Sequence, residues 1–579
     1  MVSQIKMNLL LQNMNTGLRT VCCLAFLFLG RVSAQDMGSL KNQKPFEIRG
    51  SLSAGMAFYG VNGIQNRRQP FTWYLTGAPT LKIYGVTMPF SLTVSEQERR
   101  FSQPFNHYGV SPYYKWVKLH LGYRNVRFGD FTLAGANFLG AGAELTPGKL
   151  RLGFVYGQFA RAVEEDASGT DPRYRYLRPT YQRVGWAAKV GFGKPSAYVD
   201  FSFFKAKDRI ESIEKPSTRA RIFPMENAAA GIKTHFGFFK QKLNFDFDLA
   251  ASLLTRDISR PDLENPSPLQ NRILNIMAFN GSSSFFTALR AGSSLNIKGG
   301  NIRLDYQRID PDYQSLGAYF FQNDVAQITL SPSYSLLKGK LNVSGSLGRS
   351  HDNLSQKKVA TTHRNVSALN VGIVPLKNLN INLGYSNFGV GQSRGLGDFF
   401  NDSLAVSVVN ASYSGTGNYS FGSRFKRHMV GLMAVYQNTN DQNQFTRQYT
   451  GAASFVSALN YNLSMQAQKL NAGASFSYVV IQTGGRKLLN IGPSFNVSKE
   501  WLKGLLRTSL NHNSQVRSAD GQSDGLMSST GMNATINRKK QSLTLGLNYL
   551  FNKYNAQSDA LNYRNFAEYR ANLTYGIRF

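Results

Sequence analysis

Cysteine is almost absent from this sequence. The chain of 579 residues has only Cys22 and Cys23, and both lie in the apolar run Val21–Gly30. A basic stretch precedes that run and the small residues "VSA" follow it, just before Gln35, which is typical of a secretory signal peptide. We therefore predict a signal peptide over residues 1–34 and Sec-type export. Its removal leaves a mature chain without cysteine, which excludes disulfides and thiolate metal sites.

Long apolar runs are also missing after Gln35. No stretch approaches the ~18 consecutive apolar residues that a membrane-spanning helix needs, so a helical membrane protein is excluded. Charged linkers and hinges rich in proline or serine are absent too, which favours one large architecture over a string of small domains. The remaining classes are a secreted all-β protein and a transmembrane β-barrel.

Acidic residues are scarce, with 33 Asp and Glu against 66 Lys and Arg. A soluble protein this basic would suggest a nucleic-acid partner, but the basic residues are spread along the chain and form no nucleic-acid-binding motif. We therefore predict no nucleic-acid partner. In a barrel, such residues can line the lumen or lie at the rims beside lipid phosphates.

The recurring pattern is an alternation of apolar and polar residues with a period of two, which indicates strands with one apolar face. In "LRLGFVY", which begins at Leu150, every second residue is apolar or aromatic, and Arg151, Gly153 and Val155 face the other way. The chain has 40 Phe and 28 Tyr but only 4 Trp. Aromatic groups near the strand ends, opposite a face of Gly, Ser, Asn and Asp, are typical of a lipid-facing band around a hydrated interior.

The connections between these strands alternate between short and long. Short connections carry lysine or glycine, as in "KGG" and "KGK", and a basic collar or simple turn preference would explain those lysines equally well. Outer-membrane barrels have short periplasmic turns and long external loops. We predict an all-β fold, a single large transmembrane antiparallel β-barrel of about 24 strands, with an even number between roughly 20 and 26. Residues 35–45 form a short periplasmic segment in this prediction, and residues 46–579 form the barrel.

These features resemble those of Gram-negative outer-membrane β-barrel proteins. The stretches "YYKWVKLHLGYRNVRFGDFTLAG" and "GAELTPGKLR" further resemble uncharacterised outer-membrane barrels of Bacteroidota. This resemblance implies a place in the cell outer membrane and lipid and glycolipid as surroundings, but no particular activity. It also implies that the last strand is read by the barrel-assembly machinery through its apolar face, which comprises Phe579, Ile577, Tyr575, Leu573 and Ala571.

Alternation predicts which basic side chains point into the lumen. The candidates are Lys118, His120, Arg124, Arg151 and Arg303. Such a lumen would favour anionic solutes. Alternatively, these cations pair with lumen acids such as Asp246, Asp248 and Asp305 in a plugged interior. The glycine-rich segment Gly122–Lys149 fits either a short strand or chain folded into the lumen.

Three functions follow from a barrel of this kind. The leading prediction is a porin-like passive channel, and the main alternative is a closed scaffold that binds partner outer-membrane proteins or glycolipid. An embedded hydrolase is a weaker alternative, since only Ser350, His351 and Asp352 bring histidine beside a hydroxyl and a carboxylate, and neighbours in a strand face opposite ways. A TonB-dependent transporter would need a plug domain before the first strand, which the short segment before Phe46 does not provide. We predict no catalytic residues, metal site or cofactor.

Overall fold

The computed structural model describes residues 45–96, 107–165, 179–214, 220–318, 322–396, 405–555 and 565–579, together with Pro216, Asn401 and Ser403. The predicted signal peptide, residues 1–34, and residues 35–44 of the predicted periplasmic segment lie outside this part of the chain. Both assignments therefore stay predictions. The first strand begins at Phe46, where the sequence predicts the barrel to start.

The described residues are almost entirely β-structure. The strands are β1 (Phe46–Arg49), β2 (Ser51–Asn62), β3 (Phe71–Gly77), β4 (Thr80–Ile83), β5 (Val86–Ser95), β6 (His107–Val110), β7 (Tyr113–Tyr114), β8 (Val117–Asn125), β9 (Asn137–Leu145), β10 (Leu150–Ala160), β11 (Gln182–Lys194), β12 (Ala197–Arg209), β13 (Glu226–Phe238), β14 (Leu243–Thr255), β15 (Ser283–Ile297), β16 (Gly300–Ile309), β17 (Val325–Leu336), β18 (Leu341–His351), β19 (Ala360–Leu376), β20 (Leu379–Arg394), β21 (Ser407–Gly422), β22 (Lys426–Asp441), β23 (Ala452–Met465), β24 (Leu470–Thr483), β25 (Arg486–Trp501), β26 (Leu506–Ala519), β27 (Gln522–Arg538), β28 (Gln541–Tyr554) and β29 (Phe566–Arg578). The described residues also include two short α-helices, α1 (Pro268–Leu274) and α2 (Arg447–Thr450). No helix in the described ranges is long and apolar enough to cross a membrane.

These segments form one closed antiparallel barrel of 26 strands. Three of the strands are each broken once: β1 continues into β2 through Gly50, β3 into β4 through Ala78 and Pro79, and β6 into β7 through Ser111 and Pro112. Gly50 has a φ of 113°, which a residue with a Cβ rarely adopts. The barrel closes where β2 pairs antiparallel with β29. The even number and its place within the predicted range confirm the fold prediction.

Short and long connections lie at opposite ends of the barrel. The connections predicted to be short, such as residues 298–299 and 377–378, join strands at the end where β29 terminates. The long connections, such as 256–282, lie at the other end. Two connections depart from the predicted alternation, because Gly484-Gly485 and Asp520-Gly521 are two-residue turns at the long-loop end. All four of these residues have positive φ, as a type I′ hairpin turn requires.

The apolar face of each strand points outward. In β10, Phe154 and Tyr156 are about half exposed, whereas Val155 between them is fully buried against the interior. The same alternation holds in β28, where Leu543, Leu545 and Leu547 are exposed outward. Such a surface is stable only where an apolar medium covers it.

The buried core lies inside the barrel. Two segments fold inward and pack on the inner faces of β9 to β17, and we call residues 126–136 and 310–318 together the lumen plug. Leu133 is completely buried in it and Tyr313 is nearly so. The two segments meet through a hydrogen bond from the Ala134 amide to the Gly317 carbonyl (3.0 Å). The sequence of the glycine-rich segment Gly122–Lys149 left open a short strand or chain folded into the lumen, and the segment contains both. It includes the end of β8 and all of β9, and residues 126–136 between them fold into the lumen.

Candidate functional site

Two parts of the lumen wall differ in their inner faces, and the first is the wall of β8 to β17, which carries the plug. Apolar side chains of the plug, among them Phe128 and Leu133, pack with inward residues of the wall such as Phe204 and Leu254. Because these groups are removed from water, they hold the plug against the wall through the hydrophobic effect. This part of the lumen is therefore packed rather than hydrated.

Polar contacts fix the orientation of the plug. The Tyr313 hydroxyl donates to the Phe131 carbonyl (2.9 Å), and the Ser315 hydroxyl donates to the Thr132 carbonyl (2.6 Å). The Asp130 carboxylate accepts from Lys233 on β13 (2.6 Å). These bonds satisfy polar groups that burial would otherwise leave without partners, so the plug has a defined position.

Two of the predicted lumen cations, Lys118 and His120, do lie on the inner face of β8. Both contact Glu144 on the neighbouring strand, with Lys118 Nζ at 3.3 Å and His120 Nε2 at 3.0 Å from the same oxygen. Lys189 approaches the other oxygen of Glu144 at 3.7 Å. One carboxylate thus faces three basic groups, and their positive charge is partly compensated.

Arg151 and Arg303 are also paired. Arg151 donates two hydrogen bonds to Asp200, of 2.7 and 2.9 Å, in the bidentate geometry that suits a guanidinium and a carboxylate. Arg303 makes the same kind of fork with Asp305, of 2.7 and 2.8 Å. The fifth candidate, Arg124, donates to the Ser91 hydroxyl at 2.9 Å. Four of the five candidates therefore contact carboxylates, which is the arrangement that the sequence offered as the alternative to a basic lumen.

The second part of the lumen wall, β18 to β29, carries a different inner surface. Its inward positions are occupied mainly by Asn, Ser, Thr and Gly. Six inward asparagines are exposed to solvent although they point into the barrel: Asn380, Asn382, Asn471, Asn496, Asn511 and Asn548. None of the described residues of the plug packs on them. We call this wall, whose inner face presents exposed amide and hydroxyl groups, the open wall.

Basic residues collect where this open wall reaches the short-turn end. Arg424, Arg427, Lys469 and Arg507 line one cavity of about 410 Å³ with a single acid, Glu500. Glu500 contacts Lys469 at 3.2 Å. We call Arg424, Arg427 and Arg507 the mouth arginines. The sequence analysis did not single them out. Alternation places Arg427 and Arg507 inward, but only the fold shows that their strands, β22 and β26, lie away from the acids of β8 to β17.

The other sequence-derived candidates are placed as follows. The Asp352 carboxylate accepts the Thr362 amide at 2.7 Å, and the ring of His351 lies 6.1 Å from that of His363 on β19. Among the described residues, no group of three or more His, Cys, Asp or Glu could hold a metal ion. The predicted assembly face of β29 lies outward, with Leu573 and Tyr575 exposed. Its role in assembly stays a prediction.

No family model and no curated protein matches the sequence. Among solved structures, the barrel is similar to OccAB2 of Acinetobacter baumannii, with 10% identity and a TM-score of 0.31 over 62% of this chain and 93% of that one. It is also similar to the translocation pore of the P pilus usher PapC, with 11% identity and a TM-score of 0.34 over 92% of this chain and 99% of that one.

A third similar structure is the outer membrane protein opdK of Pseudomonas aeruginosa, with 9% identity and a TM-score of 0.30 over 62% of this chain and 94% of that one. These neighbours are outer-membrane β-barrels of Gram-negative bacteria. At similarities this low they carry no argument about activity.

Proposed function

We propose that the protein is an outer-membrane barrel that conducts small hydrophilic solutes passively along the inner face of β18 to β29. The observation that carries this proposal is the set of inward yet solvent-exposed asparagines, for example Asn382 and Asn511. Amide and hydroxyl groups can exchange hydrogen bonds with water and with passing solutes without trapping them. The plug narrows the lumen from one side and leaves this wall uncovered.

We further propose that the passage prefers anions. Residues 341–579 contain 24 Lys and Arg against 9 Asp and Glu. Arg427 and Arg507 face the passage, and neither has a carboxylate within ion-pair distance among the described residues. Uncompensated positive charge at a channel mouth attracts anions and repels cations.

The location in the outer membrane is part of the same proposal. The outward band of Leu, Phe and Tyr fits a bilayer, and outward aromatic pairs such as Tyr549 and Tyr569, whose ring centroids are 5.2 Å apart, fit its interface. Lipid and glycolipid would cover this band. Phe579 and the outward residues of β29 would serve as the signal for the assembly machinery, so deleting Phe579 should lower the amount of barrel inserted.

Single-channel recording of the purified protein in planar bilayers tests the channel. We expect stepwise currents in simple salts and a reversal potential that indicates anion preference under a salt gradient. Arg507→Gln should move the reversal potential toward zero more than Lys118→Gln, because Lys118 is already paired with Glu144. Absence of steps in every salt would refute the channel and favour the closed scaffold, whose support is the packed plug.

A further inference from the structure

The mouth arginines form a concave basic surface that the proposed passage alone does not require. Arg424 and Arg427 line two neighbouring cavities, one of about 410 Å³ that also contains Arg507 and one of about 650 Å³ that also contains Lys377. Both cavities open at the short-turn end of the barrel. A surface with this many cations in so small a space repels itself unless an anion occupies it.

The described residues supply almost no compensating charge there. Glu500 is the one carboxylate among the described residues that line the smaller cavity, its oxygen lies 3.2 Å from Lys469, and the lining of the larger cavity includes no described carboxylate. No described carboxylate lies within ion-pair distance of Arg424, Arg427 or Arg507. The contrast with Arg151, which has Asp200 as a bidentate partner, shows that this chain does pair its arginines elsewhere in the lumen.

The polar lining completes a site for a small anion. Ser464, Asn471 and Ser498 line the smaller cavity beside the arginines and can donate hydrogen bonds to anionic oxygens. Guanidinium groups bind phosphate in the same forked geometry that they use for carboxylates, and several of them favour a group with more than one negative charge.

We propose that the mouth arginines bind soluble solutes that carry phosphate groups, as they enter or leave the passage. The inference rests on the proposed function, because it names the solute class that the passage would select. Lipid headgroups share this chemistry. However, Arg427 and Arg507 share the inner face of their strands with Met433 and Asn511, opposite the outward Leu432 and Leu510, so the site faces the lumen rather than the bilayer.

Calorimetric titration of the purified full-length barrel in neutral detergent, with inorganic pyrophosphate as the probe, tests the site. We expect saturable binding by the natural protein and a loss of at least about tenfold in affinity for Arg427→Gln combined with Arg507→Gln, since each removes a charged hydrogen-bonding group. The matched control is Arg517→Gln. Arg517 lies on the same face of β26, ten residues away at the long-loop end, where it stacks over Tyr554.

Arg517→Gln should bind pyrophosphate with an affinity within about twofold of that of the natural protein. An equal loss in Arg517→Gln would overturn the site, because binding would then follow overall charge. All variants are first checked for the same thermal unfolding as the natural barrel, and Arg427→Lys gives a milder change if the double variant does not fold. Binding of phosphatidylglycerol vesicles in place of pyrophosphate would also overturn the assignment to a soluble solute.

Planar-bilayer recording separates this inference from the channel. Pyrophosphate added on the short-turn side should reduce the current of the natural barrel, and the double variant should need about tenfold more of it. If pyrophosphate neither changes the current nor binds in the titration, the phosphate site is refuted while the channel stands. If pyrophosphate binds but the barrel carries no current, the channel is refuted while the phosphate site stands.

Discussion

The two parts of the lumen wall differ in the chemistry of their inner faces. The strands of the first wall, β8 to β17, carry seven acids, and the strands of the second wall, β18 to β29, carry four. The wall of β18 to β29 carries amides and hydroxyls, and its charges lie near the strand ends. The plug packs on the first wall and leaves the second uncovered.

The difference follows from what each surface contacts. An ion removed from water needs an opposite charge and hydrogen bonds, because the low dielectric interior makes a lone charge costly. Asp200 and Arg151 meet this need on the covered wall. Asn382 and Asn511 are exposed to solvent and carry no charge, so they need no opposite charge, and Asn382 donates a hydrogen bond to the side-chain oxygen of Asn380 (3.0 Å).

Removing residues 127–135 of the first plug segment should have the largest effect on the comparison between the two walls. Replacing residues 127–135 by a Gly-Ser linker takes away Phe128, Asp130 and Leu133, which hold the plug against the wall. We expect a severalfold larger single-channel conductance, since the covered wall would then also border water. Replacement of residues 261–267, most of which are exposed, serves as the control and should leave conductance unchanged. Unchanged conductance after plug replacement would mean that the plug does not limit the passage.

Breaking one ion pair on the covered wall should cost stability. Asp200→Asn leaves Arg151 without its carboxylate, and removing one partner of a buried pair costs about 3–5 kcal/mol. The free energy of unfolding, measured from urea unfolding followed by tryptophan fluorescence, should fall by about that amount. Asn496→Ala on the open wall is the comparison and should cost less than about 1 kcal/mol, because water replaces the lost amide. Equal costs would contradict the difference between the walls.

Placing acids on the open wall should change selectivity without changing stability. Asn496→Asp combined with Asn548→Asp adds two carboxylates to the exposed inner face of β25 and β28. We expect the reversal potential to shift toward cation preference, while the free energy of unfolding changes by no more than about 0.5 kcal/mol. The neutral pair Asn496→Ser and Asn548→Ser controls for side-chain size. Strong destabilisation by the acids would show that water does not reach this face.

Period-two alternation was enough to predict the barrel and the outward face of its strands. It places Phe154 and Tyr156 on the outward face, where both are about half exposed, and Arg151 on the opposite face, because a strand in a closed sheet has only two faces. The strand count followed from length, within the limits set by the size of membrane strands. The two-residue turns at the long-loop end were missed because short hairpins can lie at either end.

The plug and the pairing of lumen charges could not be predicted in the same way. Residues 310–318 lack any alternation that would separate them from an external loop. Arg151 and its partner Asp200 are 49 residues apart, so their contact depends on the register of β10, β11 and β12. Alternation gives the side of the sheet that a residue faces, but it does not give its neighbour across the strands. The unpaired arginines of the open wall were missed for this reason.

The smallest effect should come from the junction between the two walls. Asp324, just before β17, accepts the amides of Asn353 (3.0 Å) and Leu354 (2.9 Å) in the connection after β18, and it also contacts Lys358. Burial alone would raise the pKa of this carboxyl, but Lys358 and the two amides outweigh it and hold the pKa below its usual 3.8. A lowered pKa means that the stabilisation is complete above about pH 4 and is lost as the pH falls through the folded-state pKa.

Hydrogen exchange measures this directly. The protection factors of the Asn353 and Leu354 amides should drop when the pH is lowered from 7 to below the folded-state pKa, while those of β26 in the open wall stay constant. Asp324→Asn should have low protection at both pH values, because an amide carries no charge to attract Lys358 and has only one oxygen to accept the two N–H groups. A natural barrel that keeps its protection at acid pH would show that the two walls are joined by strand pairing alone.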